Sequence, residues 1–286
     1  MTSPLPLALV QAPAHAPGDL RSFAAELEKL TRTYPAVRLF VFPELHLCGQ
    51  DEPDPSAAEP LDGPLDRALG ELAADLGVWL APGSVYERAA DGRVHNTAVV
   101  YSPHGRRVAA YRKIFPWRPY ETTAPGDEFV VFDMEGYGRV GLSVCYDAWF
   151  PEVARHLAWL GADLILNVVR TPTADRAQEL GLARANAIVN QVFVASVNAA
   201  PPDGIGRSLL VDPEGRVRVE AGGDPLAVLT DVVDLGEAAR VRRYGTAGLN
   251  RIWEQFTDDD PALELPLYGG RITPATWRRP VTPRRP

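Results

Sequence analysis

One short stretch, GLSVCYDAWFPE (residues 141–152), combines the end of a strand with the start of a helix. Gly-Leu-Ser-Val is typical of a buried strand with glycine at its start. Pro151 and Glu152 are typical of a first helical turn, and a helical run follows at residues 153–159. Cys145 is therefore predicted between a strand and a helix, on a turn that can expose a nucleophile beside backbone N–H groups. On this segment alone, a small buried packing residue is the alternative.

Alternating strand and helix patterns extend on both sides of this stretch. Apolar side chains at helical spacing predict helices at residues 19–32, 65–76, 153–159 and 177–189. Apolar runs bounded by turn residues predict strands within residues 7–13, 37–44, 78–87, 96–103, 105–113, 129–145, 161–169, 192–200 and 207–220. Because hairpins are mixed with strand–helix units, we expect an α/β (α+β) fold with mixed sheets, in a single domain over residues 1–286.

The composition is that of a soluble enzyme. Of the 286 residues, 46% are hydrophobic and 23% are charged. The net charge of -8 argues against nucleic acid or an anionic membrane as a partner, since both require a basic face. Apolar runs are too short to span a bilayer, and the first residues lack the basic leader of a secretory signal. The two cysteines, Cys48 and Cys145, leave no disulfide framework, so we expect a reducing cytoplasm.

Two more stretches place charged side chains at predicted strand ends. Glu44 follows the apolar run LFVFP, where desolvation would raise its pKa toward the range of a general base; a solvated loop glutamate is the alternative. Lys113 lies in YRKIFPWRPYE (residues 111–121), directly before two apolar residues. It is a candidate cation for an oxyanion, with Glu121 as its partner, or else an ordinary charged strand end.

Taken together, the three stretches resemble the carbon-nitrogen hydrolase (nitrilase) superfamily, in its amidase-type branch. Phe-Pro-Glu44, Arg-Lys113 and Cys145 stand in that family's order, with a Pro-Glu pair after the cysteine. Glu121, eight residues beyond the lysine, falls where the family commonly keeps a second glutamate. The resemblance covers about residues 5–235. It implies a four-layer α-β-β-α sandwich, subunits paired across a two-fold axis as a homodimer or a higher homo-oligomer, and no metal or organic cofactor.

The resemblance also implies a role for each matched residue. Cys145 would be the nucleophile, Glu44 the general base, and Lys113 the cation that stabilises the tetrahedral intermediate. Glu121 would orient the substrate or the lysine. The implied reaction is hydrolysis of the C–N bond of a small amide to an acid and ammonia, through a cysteine thioester.

The motifs define the substrate class less closely. RKIFPWRPYE resembles the lysine segment of aliphatic amidases and formamidases, whereas CYDAWFPE is closer to general amidases and N-carbamoyl amine hydrolases. Two alternatives are therefore hydrolysis of an N-carbamoyl amine or amino acid, and hydrolysis of a nitrile through a thioimidate. A binding protein on the same fold would not need the four residues together. A serine hydrolase is disfavoured because the sequence has no Gly-x-Ser-x-Gly.

Four further residues are predicted to bind the substrate: Trp117, Tyr146, Trp149 and Arg170. The three aromatic residues fit a pocket lining, and core packing explains them equally well. Arg170 ends the strand that follows the cysteine. It would bind a substrate carboxylate, or it would pair with Asp175 on the surface.

Two groups of residues are given no role in the reaction. The histidines lie in unremarkable surroundings, no pair of them shows ligand spacing, and no metal site is expected. Beyond residue 244 the pattern weakens, and residues 245–286 are predicted to form a C-terminal tail. Its aromatic side chains would be buried against another subunit: Trp253, Phe256, Tyr268 and Trp277.

Overall fold

Helices and strands alternate along the chain in the computed structural model, which describes residues 3–49, 55–223, 225–265 and 267–273. The helices are α1 (Leu20–Thr33), α2 (Pro64–Leu76), α3 (Pro151–Trp159), α4 (Arg176–Asn190) and α5 (Gly236–Tyr244). The strands are β1 (Leu5–Gln11), β2 (Leu39–Val41), β3 (Trp79–Ala81), β4 (Ser84–Arg88), β5 (Val94–Tyr101), β6 (Arg107–Arg112), β7 (Val131–Met134), β8 (Gly138–Val144), β9 (Leu164–Val169), β10 (Phe193–Asn198), β11 (Leu209–Val211), β12 (Val217–Glu220) and β13 (Ala227–Val233).

The strands form two mixed sheets. The first has the order β13-β1-β2-β3-β5-β4, with β6 also paired to β5. The second has the order β12-β11-β10-β9-β8-β7. Strands β1, β2 and β3 are parallel, as are β8, β9 and β10, whereas the outer strands pair antiparallel. The mixed character expected from hairpins beside strand–helix units is therefore confirmed.

Alternation of side chains along the strands produces three apolar layers. Leu7 and Leu166 point into a central core shared by the two sheets. Their neighbours Ala8 and Ile165 point the other way, Ala8 toward α1 and α2, and Ile165 toward α3 and α4. Since each fully buried aliphatic side chain contributes about 1.5–3 kcal/mol, these layers stabilise one α-β-β-α sandwich. The predicted fold class is confirmed.

The elements that were not predicted from the sequence include a 3₁₀ turn, a strand and a helix. A 3₁₀ turn, Cys145–Trp149, separates β8 from α3. Strand β13 pairs antiparallel with β1 along its whole length, and α5 follows it. The side chains of β13 are mostly half-buried and those of α5 are rich in charge, so neither shows a clear apolar period.

Part of the described C-terminal tail packs against α3 of its own chain. Trp253 packs on α3, with its ring 6.0 Å from that of Trp159 and the Arg155 guanidinium 5.0 Å from its centroid. Phe256 is exposed, whereas the side chain of Tyr268 and all of Trp277 lie outside the described residues. Burial of this tail against another subunit stays a prediction. No helix within the described ranges is long and apolar enough to cross a membrane.

Candidate active site

Cys145 lies at the junction of β8 and the 3₁₀ turn, in a strained backbone conformation. Its φ of 46° is in the left-handed region, which side chains other than glycine rarely adopt. The Val144 N–H donates to Asp147 Oδ2 at 3.0 Å, which fixes the turn. Cys145 as a residue is half-buried, and its Sγ lies 3.7 Å from Thr171 Oγ1. The strand–helix junction predicted from the sequence is thus a sharp turn that presents the thiol.

Asp147 ties this turn to the opposite sheet. Its Oδ2 also accepts a hydrogen bond from the Tyr111 hydroxyl of β6 at 2.8 Å, and its Oδ1 accepts one from the Phe115 N–H at 2.8 Å. The side chain is fully buried, and burial raises its pKa to about 6 against the opposing positive charge of Lys113. Asp147 therefore fixes Cys145 relative to the segment that carries the lysine. The sequence analysis missed it, because an aspartate after a cysteine also fits an ordinary turn.

Lys113 follows β6 and is fully buried between two carboxylates. Its Nζ lies 3.1 Å from Glu44 Oε1 and 2.5 Å from Glu121 Oε1. Burial opposes its charge, but the negative charges of Glu44, of a Cys145 thiolate and of Glu121 outweigh burial and raise its pKa above the ordinary value. Lys113 is therefore a permanent cation, and Glu121 holds it as the sequence predicted.

A close approach of two chain segments holds Glu44 at the end of β2. Gly83, with φ +95°, lies against the Pro43 carbonyl, where a Cβ would come within 1.7 Å of the oxygen. The adjacent Ser84 Oγ accepts the Leu45 N–H at 3.0 Å. Only glycine fits at residue 83, because it alone has no Cβ and tolerates this φ. This close approach of the two segments places the Glu44 side chain in the interior, where Glu44 is 2% exposed.

Asn96 of β5 joins the glutamate and the lysine. Its side-chain amide donates to Glu44 Oε1 at 2.8 Å. Its backbone carbonyl accepts the backbone N–H of Lys113 at 2.8 Å. The same Glu44 oxygen thus accepts from an amide and from the ammonium, which leaves its other oxygen for further contacts. Asn96 is a further site residue that the sequence analysis missed, since nothing in NTAVVYSP distinguishes it from a strand residue.

The surroundings of Cys145 determine whether its thiol keeps its proton. Burial, followed by the negative charge of Glu44, raises the pKa of Cys145 well above its ordinary value, while Lys113 lowers it. Burial and the charge of Glu44 likewise raise the pKa of Glu121, with Lys113 opposing them. A thiol in these surroundings holds its proton until a base accepts it. The arrangement suits nucleophilic attack coupled to proton transfer.

A second buried ion cluster lies behind the thiol. Glu179 Oε1 accepts the Thr171 hydroxyl at 2.9 Å, and Glu179 Oε2 lies 3.0 Å from Arg176 Nη1. Arg176 is fully buried, and it donates to Ser196 and to the carbonyls of two other residues, Gly206 and Arg207. This cluster anchors the Thr171 hydroxyl that faces Cys145.

Arg170 is paired, but with a different partner from the one considered in the sequence. Its Nη2 lies 2.7 Å from Asp203 Oδ1, and its Nη1 donates to the Gly49 carbonyl at 2.9 Å. The alternative of a surface pair with Asp175 is not observed, because Asp175 instead accepts the hydroxyl of Thr173. Binding of a substrate carboxylate by Arg170 stays a prediction.

The three predicted pocket aromatics lie near the site with unequal exposure. Trp117 is 38% exposed, and its N–H donates to Glu121 Oε2 at 3.1 Å. Tyr146 and Trp149 are half-buried in the 3₁₀ turn, with ring centroids 6.1 Å apart. Their contact with a substrate stays a prediction.

An α-β-β-α sandwich with a cysteine on a strained turn, and with carboxylates and an ammonium group beside it, has the features of a cysteine hydrolase. The chain has several relatives among known proteins. It is 34% identical over 206 residues to the omega-amidase of Homo sapiens, covering 66% of this chain and 73% of that protein. It is 29% identical over 247 residues to a formamidase of Bacillus cereus, covering 82% and 74%. The crystal structure of an amidase from Nesterenkonia sp. matches with a TM-score of 0.70 and 25% identity, over 88% of this chain and 97% of that one.

The carbon-nitrogen hydrolase family model matches residues 7–243. The chain therefore belongs to the carbon-nitrogen hydrolase family, in the nitrilase superfamily, as its motifs predicted. Its relatives named as amidases and hydrolases make it an enzyme of the amidase type, which hydrolyses C–N bonds other than peptide bonds.

Proposed function

We propose that this enzyme hydrolyses small primary amides, R–CO–NH₂, to an acid and ammonia through a thioester on Cys145. The observation that carries the proposal is the buried Lys113 ammonium, which lies between Glu44 and Glu121 and acts electrostatically on the Cys145 thiol. A fixed cation, a carboxylate and a thiol are the groups that acyl transfer to cysteine requires. The omega-amidase and formamidase among the relatives support an amide substrate.

In the first half of the reaction, the Cys145 sulfur forms a bond to the amide carbon while its proton moves to Glu44. The carbonyl oxygen gains negative charge, which Lys113 and the backbone N–H of Tyr146 stabilise. The C–N bond then breaks, and Glu44 returns the proton to the leaving nitrogen. Ammonia leaves and the thioester remains.

The second half uses the same groups in reverse. Glu44 takes a proton from water as the water oxygen attacks the thioester carbon. The sulfur–carbon bond breaks, the sulfur regains a proton from Glu44, and the acid leaves. One carboxylate thus acts as base and acid in turn, so its loss should lower kcat by at least ~10²-fold.

The charges around the site favour a neutral substrate. Glu44 and Glu121 outnumber Lys113, and the guanidinium of Arg170 is balanced by Asp203. A substrate carboxylate would enter a region with excess negative charge. We therefore infer that uncharged short amides react faster than carboxylate-bearing amides or N-carbamoyl amino acids of similar length.

A substrate panel tests the proposal. Ammonia release is measured with acetamide, propionamide, succinamic acid, an N-carbamoyl amino acid and propionitrile, for the wild type and for Cys145→Ala and Glu44→Gln. We expect the neutral amides to give the highest kcat/KM, with no turnover in Cys145→Ala and at least ~10²-fold lower kcat in Glu44→Gln. Hydroxylamine added during turnover should capture the acyl group as a hydroxamate, which reports the thioester directly. Preferential turnover of the nitrile, or ammonia release that survives in Cys145→Ala, would contradict the proposal.

A further inference from the structure

Outside the candidate active site, two histidines and a glutamate converge from three separate elements. His15 lies in the loop after β1, Glu26 on α1, and His46 in the loop after β2. His15 Nε2 lies 2.7 Å from Glu26 Oε2, and His46 Nε2 lies 3.7 Å from the same oxygen. All three potential ligand atoms lie within 4.8 Å of one another. Within the described residues, this is the one such cluster of His, Cys, Asp and Glu side chains.

His46 is the unusual member of the cluster. Its side chain is fully buried, and neither ring nitrogen has a hydrogen-bond partner among the described residues. Its ring packs against Phe42, with centroids 5.0 Å apart, and edge-on against His15 at 5.1 Å. Buried polar atoms are nearly always paired, because an unpaired one loses its hydration without compensation. The Nε2 atom of His46 is therefore a buried nitrogen that lies 3.7 Å from Glu26 Oε2 without forming a hydrogen bond.

We propose that His15, Glu26 and His46 bind a divalent transition metal ion of the zinc type. Two imidazole nitrogens and a carboxylate oxygen are a common zinc donor set, with water as the fourth ligand. Bonds of about 2.0–2.2 Å in a tetrahedron place ligand atoms about 3.3–3.5 Å apart. The His15–Glu26 separation must lengthen and the remaining separations must tighten by small side-chain rotations. Binding displaces the proton between His15 and Glu26.

The ion would have a structural role. It would connect α1 to the loop that follows β2, in which His46 lies two residues after Glu44. No step of the proposed amide hydrolysis passes through it. The proposal departs from the sequence expectation of no metal site, because His15 and His46 lie in different loops and show no ligand spacing along the chain.

The test is metal binding by the full chain in a Cys145→Ala background, which removes the reactive thiol as a competing zinc ligand. His15→Asn and Glu26→Gln are compared with His104→Asn, a matched change at an exposed histidine. After dialysis against ZnCl₂ and then buffer, metal content is measured by plasma mass spectrometry. The visible d–d bands of a CoCl₂-loaded sample report the coordination geometry.

We expect one zinc per chain in the background protein and in the His104 variant, and at least ~10-fold weaker binding in the other two. The bands should be those of four-coordinate cobalt. Zinc at 100 times its Kd should raise Tm by about 5 °C only where the cluster is intact. The proposal is overturned if the background protein keeps no zinc, or if His15→Asn and Glu26→Gln retain as much as His104→Asn. Since all variants lack the Cys145 thiol, neither result depends on the amide reaction.

Discussion

Two buried ion clusters act on the candidate nucleophile, and they differ in charge balance. The first has one ammonium, Lys113, between two carboxylates, Glu44 and Glu121. The second pairs one guanidinium, Arg176, with one carboxylate, Glu179. The first cluster therefore has one more carboxylate than it has ammonium groups, whereas the second has equal numbers of acidic and basic groups.

The neutral cluster is also the more completely hydrogen-bonded. Each of the three guanidinium nitrogens of Arg176 donates to an oxygen of another residue. A balanced and satisfied pair holds structure, and breaking it leaves an uncompensated charge in the interior. A cluster with unequal numbers of acidic and basic groups creates an electrostatic potential that can shift the pKa of a nearby reacting group. The comparison therefore assigns stability to one cluster and reactivity to the other.

Arg176→Met should break the neutral cluster with the largest effect. It leaves Glu179 buried without its counter-charge, so we expect about 3–5 kcal/mol of lost unfolding free energy, measured by urea denaturation. Turnover per folded molecule should change far less. The double variant with Glu179→Gln should recover part of the loss, because it removes the unpaired charge. A large fall in kcat at unchanged stability would reverse the comparison.

Lys113→Met should have the opposite signature. It removes the cation proposed for the oxyanion, so kcat per folded molecule should fall ~10²–10³-fold, in addition to any stability lost because Glu44 and Glu121 keep no counter-charge. Removing Lys113 also removes the charge that lowers the pKa of Cys145, so iodoacetamide should alkylate the thiol more slowly at neutral pH. Lys113→Arg is the matched control, because it keeps the charge. Unchanged kcat in Lys113→Met would contradict the assignment.

Asp147 connects the two sheets and should make stability depend on pH. Burial raises its pKa from 3.8 to about 6, so the folded state holds the proton more tightly than the unfolded state. Its contribution is therefore fully present below about pH 4 and is lost as the pH rises to about 6, by up to about 3 kcal/mol.

Asp147→Asn cannot titrate and serves as the reference. The difference in unfolding free energy between wild type and Asp147→Asn should therefore fall across this pH window, as measured by urea denaturation at intervals from pH 4 to 7. A difference that stays constant, or that rises with pH, would show that hydrogen bonds from Tyr111, Val144 and Phe115 dominate over burial.

Thr171→Val should give the smallest effect and shows how far the clusters interact. The Thr171 hydroxyl donates to Glu179 and lies 3.7 Å from Cys145 Sγ. Valine keeps the shape but removes that hydrogen bond, so we expect about 0.5–1.5 kcal/mol of lost stability. A several-fold change in kcat at equal folded fraction would show that the neutral cluster also affects the thiol. Thr173→Val, in the same loop, is the control.

Much of the site could be predicted because its residues follow strands. Glu44, Lys113 and Cys145 each come shortly after an apolar run, and strand ends bring such residues together. The pairing of Lys113 with Glu121 was predicted and is observed, while the catalytic roles stay predictions. The contacts of Asp147 could not be predicted, because its partners are a hydroxyl and backbone groups on the opposite sheet.

The fold was predictable where apolar side chains repeat at a clear period. The helices that carry an apolar stripe, α1 and α2, were predicted to within one residue at each end. Strand β13 was missed because its burial does not alternate cleanly, and α5 because charged residues dominate it. Asp203, the partner of Arg170, was not considered because it is distant in sequence and approaches only in the folded chain.

The pairing of β1 with β13 has a consequence for synthesis of the protein. Leu5 pairs with Val233, so β1 is synthesised long before β13, its antiparallel partner in the sheet. Until β13 emerges, β1 exposes a row of unpaired backbone groups along an apolar edge, which can pair with another nascent chain. A chain that stalls before residue 227 would therefore keep an unpaired, aggregation-prone strand edge.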